Sequence, residues 1–77
     1  MIIGFILIKA APALGHEVYN KLLSIKQINE LHPLFGEYDL IAKIETKDFK
    51  KLGEIIINEI RSVKGVIDTK TLTGTRF

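Results

Sequence analysis

Hydrophobic and polar positions change period several times along the chain, and each change marks an element. Residues 2–8 (IIGFILI) are apolar without a break and rich in β-branched side chains, which predicts a strand. APALG (11–15) interrupts it, with Pro12 and Gly15 as punctuation. From His16 to about Ser24 the spacing is helical, with Val18, Leu22 and Ile25 at i, i+4 and i+7. Gly15 is placed to cap this helix, and Glu17 suits its positive end. INELHPL (28–34) predicts a short strand. Its Pro33 cannot donate to a ladder and so belongs on a sheet edge or at a strand end. Gly36 opens a turn into YDLIAKIE (38–45), with Leu40, Ala42 and Ile44 on one face and Asp39, Ile41, Lys43 and Glu45 on the other. TKDFKKLGEIIINEIRSVKG predicts the longest helix, capped by Thr46 or Asp48, with Phe49, Leu52, Ile56, Ile60 and Val63 as its apolar stripe. Gly53 falls inside that stripe at a cost of up to ~1 kcal/mol against alanine, so a close approach to the sheet is its expected purpose. Gly65 ends the helix in the left-handed conformation, and VIDTKTLT (66–73) is the last strand.

The order β-α-β-β-α-β predicts an α+β, ferredoxin-like fold: two split βαβ units with right-handed crossovers, one four-stranded antiparallel sheet and both helices on one face. The first and third strands are central, and the second lies on an edge, where Pro33 is tolerated. A sheet covered on one face only should have a central first strand that alternates apolar and polar. It does not: Ile2, Gly4, Ile6 and Ile8 face one way, and Ile3, Phe5 and Leu7 face the other. Helices cover one side. A second sheet is the economical cover for the other, so a homodimer packed sheet on sheet is expected.

Composition supports that picture. The 77 residues form one domain, 1–77. A chain of this size buries only about 60% of the surface its unfolded form exposes. It has 0 cysteines, which removes disulfides, thiolate metal sites and thiol nucleophiles, and leaves oligomerisation as the common staple. Hydrophobic residues at 47% are many for a chain that must also keep a polar surface. Net charge is +2, from 11 Lys+Arg against 9 Asp+Glu, and Lys50-Lys51 is the one adjacent basic pair. Such interspersed charge lacks the clustered cations of a nucleic-acid surface. The first apolar run reaches Lys9, short of the ~20 residues of a membrane span, and no positive segment precedes it. A cytoplasmic protein with no membrane or nucleic-acid partner is expected.

Candidate chemistry is sparse for an enzyme. His16 lies at a helix start and His32 in an edge strand, no metal-ligand spacing occurs, and Ser24 and Ser62 sit in helices without a glycine elbow. No catalytic residue, metal or cofactor is expected. A binding reading finds more. A free amino acid offers a carboxylate, which wants backbone N–H groups or hydroxyls, and an ammonium, which wants an acid. The turn at Gly36 can expose amides. Glu37 or Asp39 can take the ammonium. Thr69, Thr71 and Thr73 alternate, so their hydroxyls line one face of the last strand. The same residues are also ordinary turn and strand formers.

These motifs, in their order and spacing, resemble the effector-binding (RAM) domain of the Lrp/AsnC feast/famine regulators. The carriers are the G-x-Y-D turn at Gly36, Tyr38 and Asp39, the acid Asp48 opening the second helix, and the closing G-V-x-x-T-x-T at Gly65, Val66, Thr69 and Thr71. The upstream APALGHEVYNKLLSIKQINELHPLFG is similar to the family's first helix and second strand, so the resemblance covers nearly the whole chain. It implies a dimeric α+β barrel arrangement, dimers that assemble into rings, commonly octamers, and amino-acid effectors bound between dimers. The ligand residues it implies are Gly36, Glu37, Tyr38, Asp39, Thr69 and Thr71. The chain opens on the first strand, where the family's transcription factors carry a helix-turn-helix domain. A stand-alone ligand sensor, or a module that co-assembles with a full-length relative, is therefore expected. Two classes share the topology. The ACT domain also binds amino acids, but the G-V-x-x-T-x-T close fits it less well. A dimeric α+β barrel enzyme of monooxygenase or isomerase type needs His16, His32 or Tyr38 in a pocket between sheet and helices.

Overall fold

The computed structural model describes residues 1–74. Strand β1 spans Ile2–Ala10, helix α1 Gly15–Leu23, β2 Ile28–Pro33, β3 Leu40–Thr46, α2 Phe49–Ile55 and β4 Val66–Thr73, and a π-helical segment, Ile56–Ile60, continues α2. The strands form one antiparallel sheet in the order β2-β3-β1-β4. This is the ferredoxin-like arrangement predicted: β1 and β3 are central, and β2, with Pro33, lies on an edge. Ile8 of β1 stands between Leu40 of β3 and Thr69 of β4, and Ile6 between Ala42 and Thr71. No helix among the described residues is long and apolar enough to cross a membrane.

The core lies between the sheet and the two helices. Ile6, Ile8, Leu40, Ala42 and Ile44 face Val18 and Leu22 of α1 and Leu52, Ile55, Ile56 and Ile60 of the second helix. The glycine that permits this packing is on the strand. A Cβ at Gly4 would lie 2.8 Å from Leu52 Cδ2, closer than carbon atoms approach. Gly53, expected to make that approach, does not: a Cβ there meets nothing within 4 Å. The sheet supplies the missing side chain, and the helix supplies the leucine that fills its place.

The second helix starts at Asp48, one of the two caps that the sequence offers. Its backbone is extended, and its carboxylate accepts the Lys51 N–H at 2.8 Å, while the buried Thr46 hydroxyl donates to the Asp48 carbonyl at 2.8 Å. The predicted stripe needs two corrections. Phe49 is 62% exposed, and Ile55 is buried at 3%. The buried set Leu52, Ile55, Ile56 follows i, i+3, i+4 and is centred nearer Ile55 than the stripe through Phe49. The helix then widens. The Arg61 N–H donates to the Ile56 carbonyl at 2.8 Å, an i→i+5 closure. A regular helix would carry Glu59, seven residues after Leu52, back onto the core face. The extra residue in the turn rotates Glu59 to solvent and Ile60 into the core. The helix ends at Ile60, earlier than predicted. Gly65, at φ +102°, terminates the turns before β4, and a Cβ there would lie 2.8 Å from Val18 Cγ2.

The opposite face of the sheet is uncovered in the single chain. Ile3, Phe5, Leu7, Ile41 and Leu72 form its apolar centre; Ile3 is 36% and Leu72 46% exposed. Glu30, His32 and Lys43 lie on its β2 side, and Asp68 and Lys70 on its β4 side.

Candidate functional site

The β2–β3 hairpin ends in the turn that the sequence singles out. Gly36 has φ +123°, a conformation that side chains other than glycine rarely adopt. Leu34, Phe35, Glu37 and Asp39 are exposed around it, and Tyr38 is half-buried. Asp39 anchors the turn three ways. Its N–H donates to the Ile8 carbonyl at 2.9 Å, its carbonyl accepts the Leu34 N–H at 2.8 Å, and its Oδ2 accepts the Ala10 N–H at 2.7 Å. The carboxylate thus replaces a backbone carbonyl where β3 no longer reaches the end of β1. Among the described residues no protein group occupies Oδ1, which is left free to accept.

Thr69 and Thr71 occupy the helix side of β4, opposite Ile8 and Ile6, with Thr69 half-buried and Thr71 exposed. They lie across β1 from β3. At ~4.8 Å per strand, Thr69 stands about 10 Å from Leu40. One chain therefore brings Gly36, Glu37, Tyr38 and Asp39 together, and holds Thr69 and Thr71 apart from them.

Beside Asp39 a cleft of about 330 Å³ opens between α1 and the end of the hairpin, lined by Gly15, His16, Tyr19, Pro33, Asp39 and Leu40. Sequence reasoning missed Gly15 and Tyr19 as site residues and weighed His16 only for an enzyme. The available signal was Tyr19 itself, an aromatic residue adjacent to Val18 and so off the centre of the apolar stripe of α1. Neither His32 nor Tyr38 lines this cleft. Among the described residues nothing hydrogen-bonds the His16 ring, so it lacks the orienting partner of a catalytic base.

Two other features carry less. A groove of about 630 Å³ at the far end of the sheet is lined by Glu45, Lys47, Asp48, Lys50, Lys51 and Glu54, among others. Those six charges cancel, and Asp48 is already engaged as a cap. On the outer sheet face the Glu30 carboxylate meets His32 Nε2 at 3.1 Å and Lys43 Nζ at 3.4 Å. Hydrogen bonds from His32, then from Lys43, hold its carboxyl below the ordinary value. No cluster of three or more His, Cys, Asp or Glu suited to a metal occurs among the described residues.

Comparison with known proteins identifies the family. A family model described as the Lrp/AsnC ligand binding domain matches residues 3–75. An uncharacterised helix-turn-helix-type transcriptional regulator of Pyrococcus horikoshii, PH1916, is 34% identical over 74 residues, covering 92% of this chain and 49% of the regulator. The crystal structure of FFRP-DM1 superposes with a TM-score of 0.90 at 36% identity, covering 97% of this chain and 100% of that one. A homocitrate synthase of Sulfurisphaera tokodaii is 43% identical over 54 residues, covering 70% of this chain and 12% of the enzyme. The chain spans about half the length of the curated regulators it matches. With a family match over nearly its whole length, the chain belongs to the Lrp/AsnC family as a ligand-binding domain.

Proposed function

We propose that the chain is a cytoplasmic regulatory module that binds an amino acid at the end of the β2–β3 hairpin. The observation that carries this reading is the free oxygen of Asp39 beside an open glycine turn. An ammonium group pairs with the carboxylate, and the amides around Gly36 and Glu37 donate to the ligand's carboxylate. Both ends of a zwitterion are then held within one small turn. The distribution of the domain supports the reading. The same stretch is similar to part of helix-turn-helix regulators and to part of a homocitrate synthase, proteins with different working parts. A ligand-sensing role suits both settings; DNA reading or condensation chemistry suits only one.

A second copy packed on the outer sheet face covers Ile3, Phe5, Leu7, Ile41 and Leu72, an apolar centre with a charged rim, which is the anatomy of a protein interface. Further association of dimers into a ring, the octamer included, completes the site by bringing Thr69 and Thr71 of one copy toward the turn of another. Ile55, which lies off the apolar stripe predicted for the second helix, is buried and gives that step no support; the exposed pair on α2 and its extension is Phe49 and Ile57, at 62% and 61%. Co-assembly with a longer relative of the same family uses the same surfaces.

Thermal unfolding in the presence of each of the twenty amino acids tests the reading. A ligand that binds only the folded state adds about 2.7 kcal/mol of stability at a hundred times its Kd, and the midpoint rises accordingly. The expected result is a rise with a chemically related subset. A flat response across all twenty, at millimolar concentration and with the oligomer intact, overturns it.

A further inference from the structure

The cleft between α1 and the hairpin is a different surface from the edge carrying Thr69 and Thr71, and nothing in the turn motif calls for it. Its position is specific. Asp39 belongs both to the turn and to the cleft lining, so a ligand whose ammonium rests on the Asp39 carboxylate lies beside the cleft. The walls are the Tyr19 ring, Pro33 and Leu40, with Gly15 contributing backbone only. Among the described residues no protein group hydrogen-bonds the His16 ring, the Tyr19 hydroxyl or Asp39 Oδ1. The cleft is therefore mostly apolar with a few convergent unpaired polar groups, as small-molecule sites are, and its volume of about 330 Å³ lies at the small end of their range of roughly 300–1,000 Å³.

The geometry points to the cleft between α1 and the hairpin as the surface that selects the ligand: it takes an uncharged apolar side chain of an amino acid held at Asp39, with Tyr19, Pro33 and Leu40 around the side chain and His16 closing the mouth. The inference rests on the amino-acid reading above and adds a side-chain class and three selecting residues to it. An acidic side chain is rejected because it would enter an apolar cleft that already holds the Asp39 carboxylate. A ligand without a side chain leaves the cleft empty and loses that contact.

Gly15 offers the cleanest test. A Cβ there meets nothing within 4 Å, and Gly15 lines the cleft from the first turn of α1, so a side chain added there starts from open space at the cleft wall. Calorimetric titration of the parent and Gly15→Leu chains with L-valine, glycine and L-aspartate gives the result. Expected for the parent is valine binding about tenfold or more tighter than glycine, with aspartate weaker than both. Gly15→Leu should reduce valine affinity about tenfold and leave glycine within about twofold. If Gly15→Leu unfolds, proton NMR of the parent decides: the His16 and Tyr19 ring resonances move on addition of valine and stay in place with glycine. Valine binding no better than glycine, valine affinity undiminished in a folded Gly15→Leu, or rings unmoved by valine overturns the cleft while leaving the turn site standing. No binding by any of the twenty amino acids overturns the amino-acid reading itself.

Discussion

Asp39 divides its carboxylate between two tasks, and substitution can separate them. Oδ2 holds the Ala10 amide at 2.7 Å, and Oδ1 is the proposed ligand contact. Asp39→Asn keeps an oxygen for Ala10 and removes the charge. Its unfolding midpoint should stay near the parent's, while amino-acid affinity falls roughly ten- to hundredfold, the worth of a charge-assisted bond of about 1.5–3 kcal/mol. Asp39→Ala also orphans the Ala10 N–H, so stability falls too, by about 1 kcal/mol at this partly exposed site. Calorimetry and thermal unfolding on the two variants separate the roles, and equal affinity in Asp39→Asn and the parent would remove the ligand contact. The glycines make a second pair. Gly4→Ala forces a methyl to 2.8 Å from the buried Leu52 and should cost about 1–3 kcal/mol in denaturant unfolding. Gly53→Ala enters open space in a helix and should add about 0.5–1 kcal/mol. The sequence pattern puts the close approach on the helix, at Gly53, and the structure puts it on the strand, at Gly4. Contact is a property of two surfaces, and the pattern describes one at a time. The second task of Asp39 was hidden for the same reason, because its partner Ala10 is 29 residues away.

Elements were legible wherever hydrophobic period and chain punctuation agreed. The four strands, their order and the paired faces of β1 and β3 follow from alternation, from Pro33 and from the handedness of crossovers. The second helix was legible in place and misread in detail, because a period argument assumes a uniform turn. Here the turn changes at Ile56. Deleting one residue inside the wide turn should therefore be mild. Without Asn58, the Ile56 carbonyl and Arg61 amide become an ordinary i→i+4 pair, Ile60 stays beneath Ile56, and Glu59 stays outside. The Ser62 hydroxyl, now on the Asn58 carbonyl at 2.7 Å, keeps the Glu59 carbonyl, already at 3.3 Å. The unfolding free energy should stay within about 1 kcal/mol of the parent. Deletion of Gly53 instead rotates Ile55, Ile56 and Ile60 by about 100° off the core and should prevent folding. Equal damage from the two deletions, read from circular dichroism melts, would mean that the wide turn is required in its own right.

At the scale of the whole molecule, the proposed dimer gives β1 two cores. Its even positions pack on the helices, and Ile3, Phe5 and Leu7 lie on the uncovered face where the second sheet would pack. Folding and association are then linked, so the parent's unfolding midpoint should rise with protein concentration. Phe5→Glu sits at the centre of the outer face, paired with Lys43 and Leu72 and directed away from the helices. It should abolish the dimer in sedimentation and remove the concentration dependence, with the secondary structure retained. A parent that sediments as a folded monomer at micromolar concentration overturns the sheet-to-sheet dimer. The two-sided strand was legible because a strand apolar on both faces needs a cover on each, and the helices reach only one. The separation of Thr69 and Thr71 from the turn was not legible, because alternation places residues on a face without saying which neighbour stands between.

The bond from Ala10 to Asp39 also gives the molecule a reporter of its own state. A cation arriving at Oδ1 draws electron density from Oδ2 and weakens the bond that the Ala10 amide donates. The next amide, Ala11, donates instead to the Gly65 carbonyl at 2.7 Å and shares none of that carboxylate. In a nitrogen-correlated proton spectrum the Ala10 signal should shift upfield in step with occupancy while the Ala11 signal holds still. These neighbouring peaks, one indicator and one reference, would read ligand binding without any label beyond the isotope.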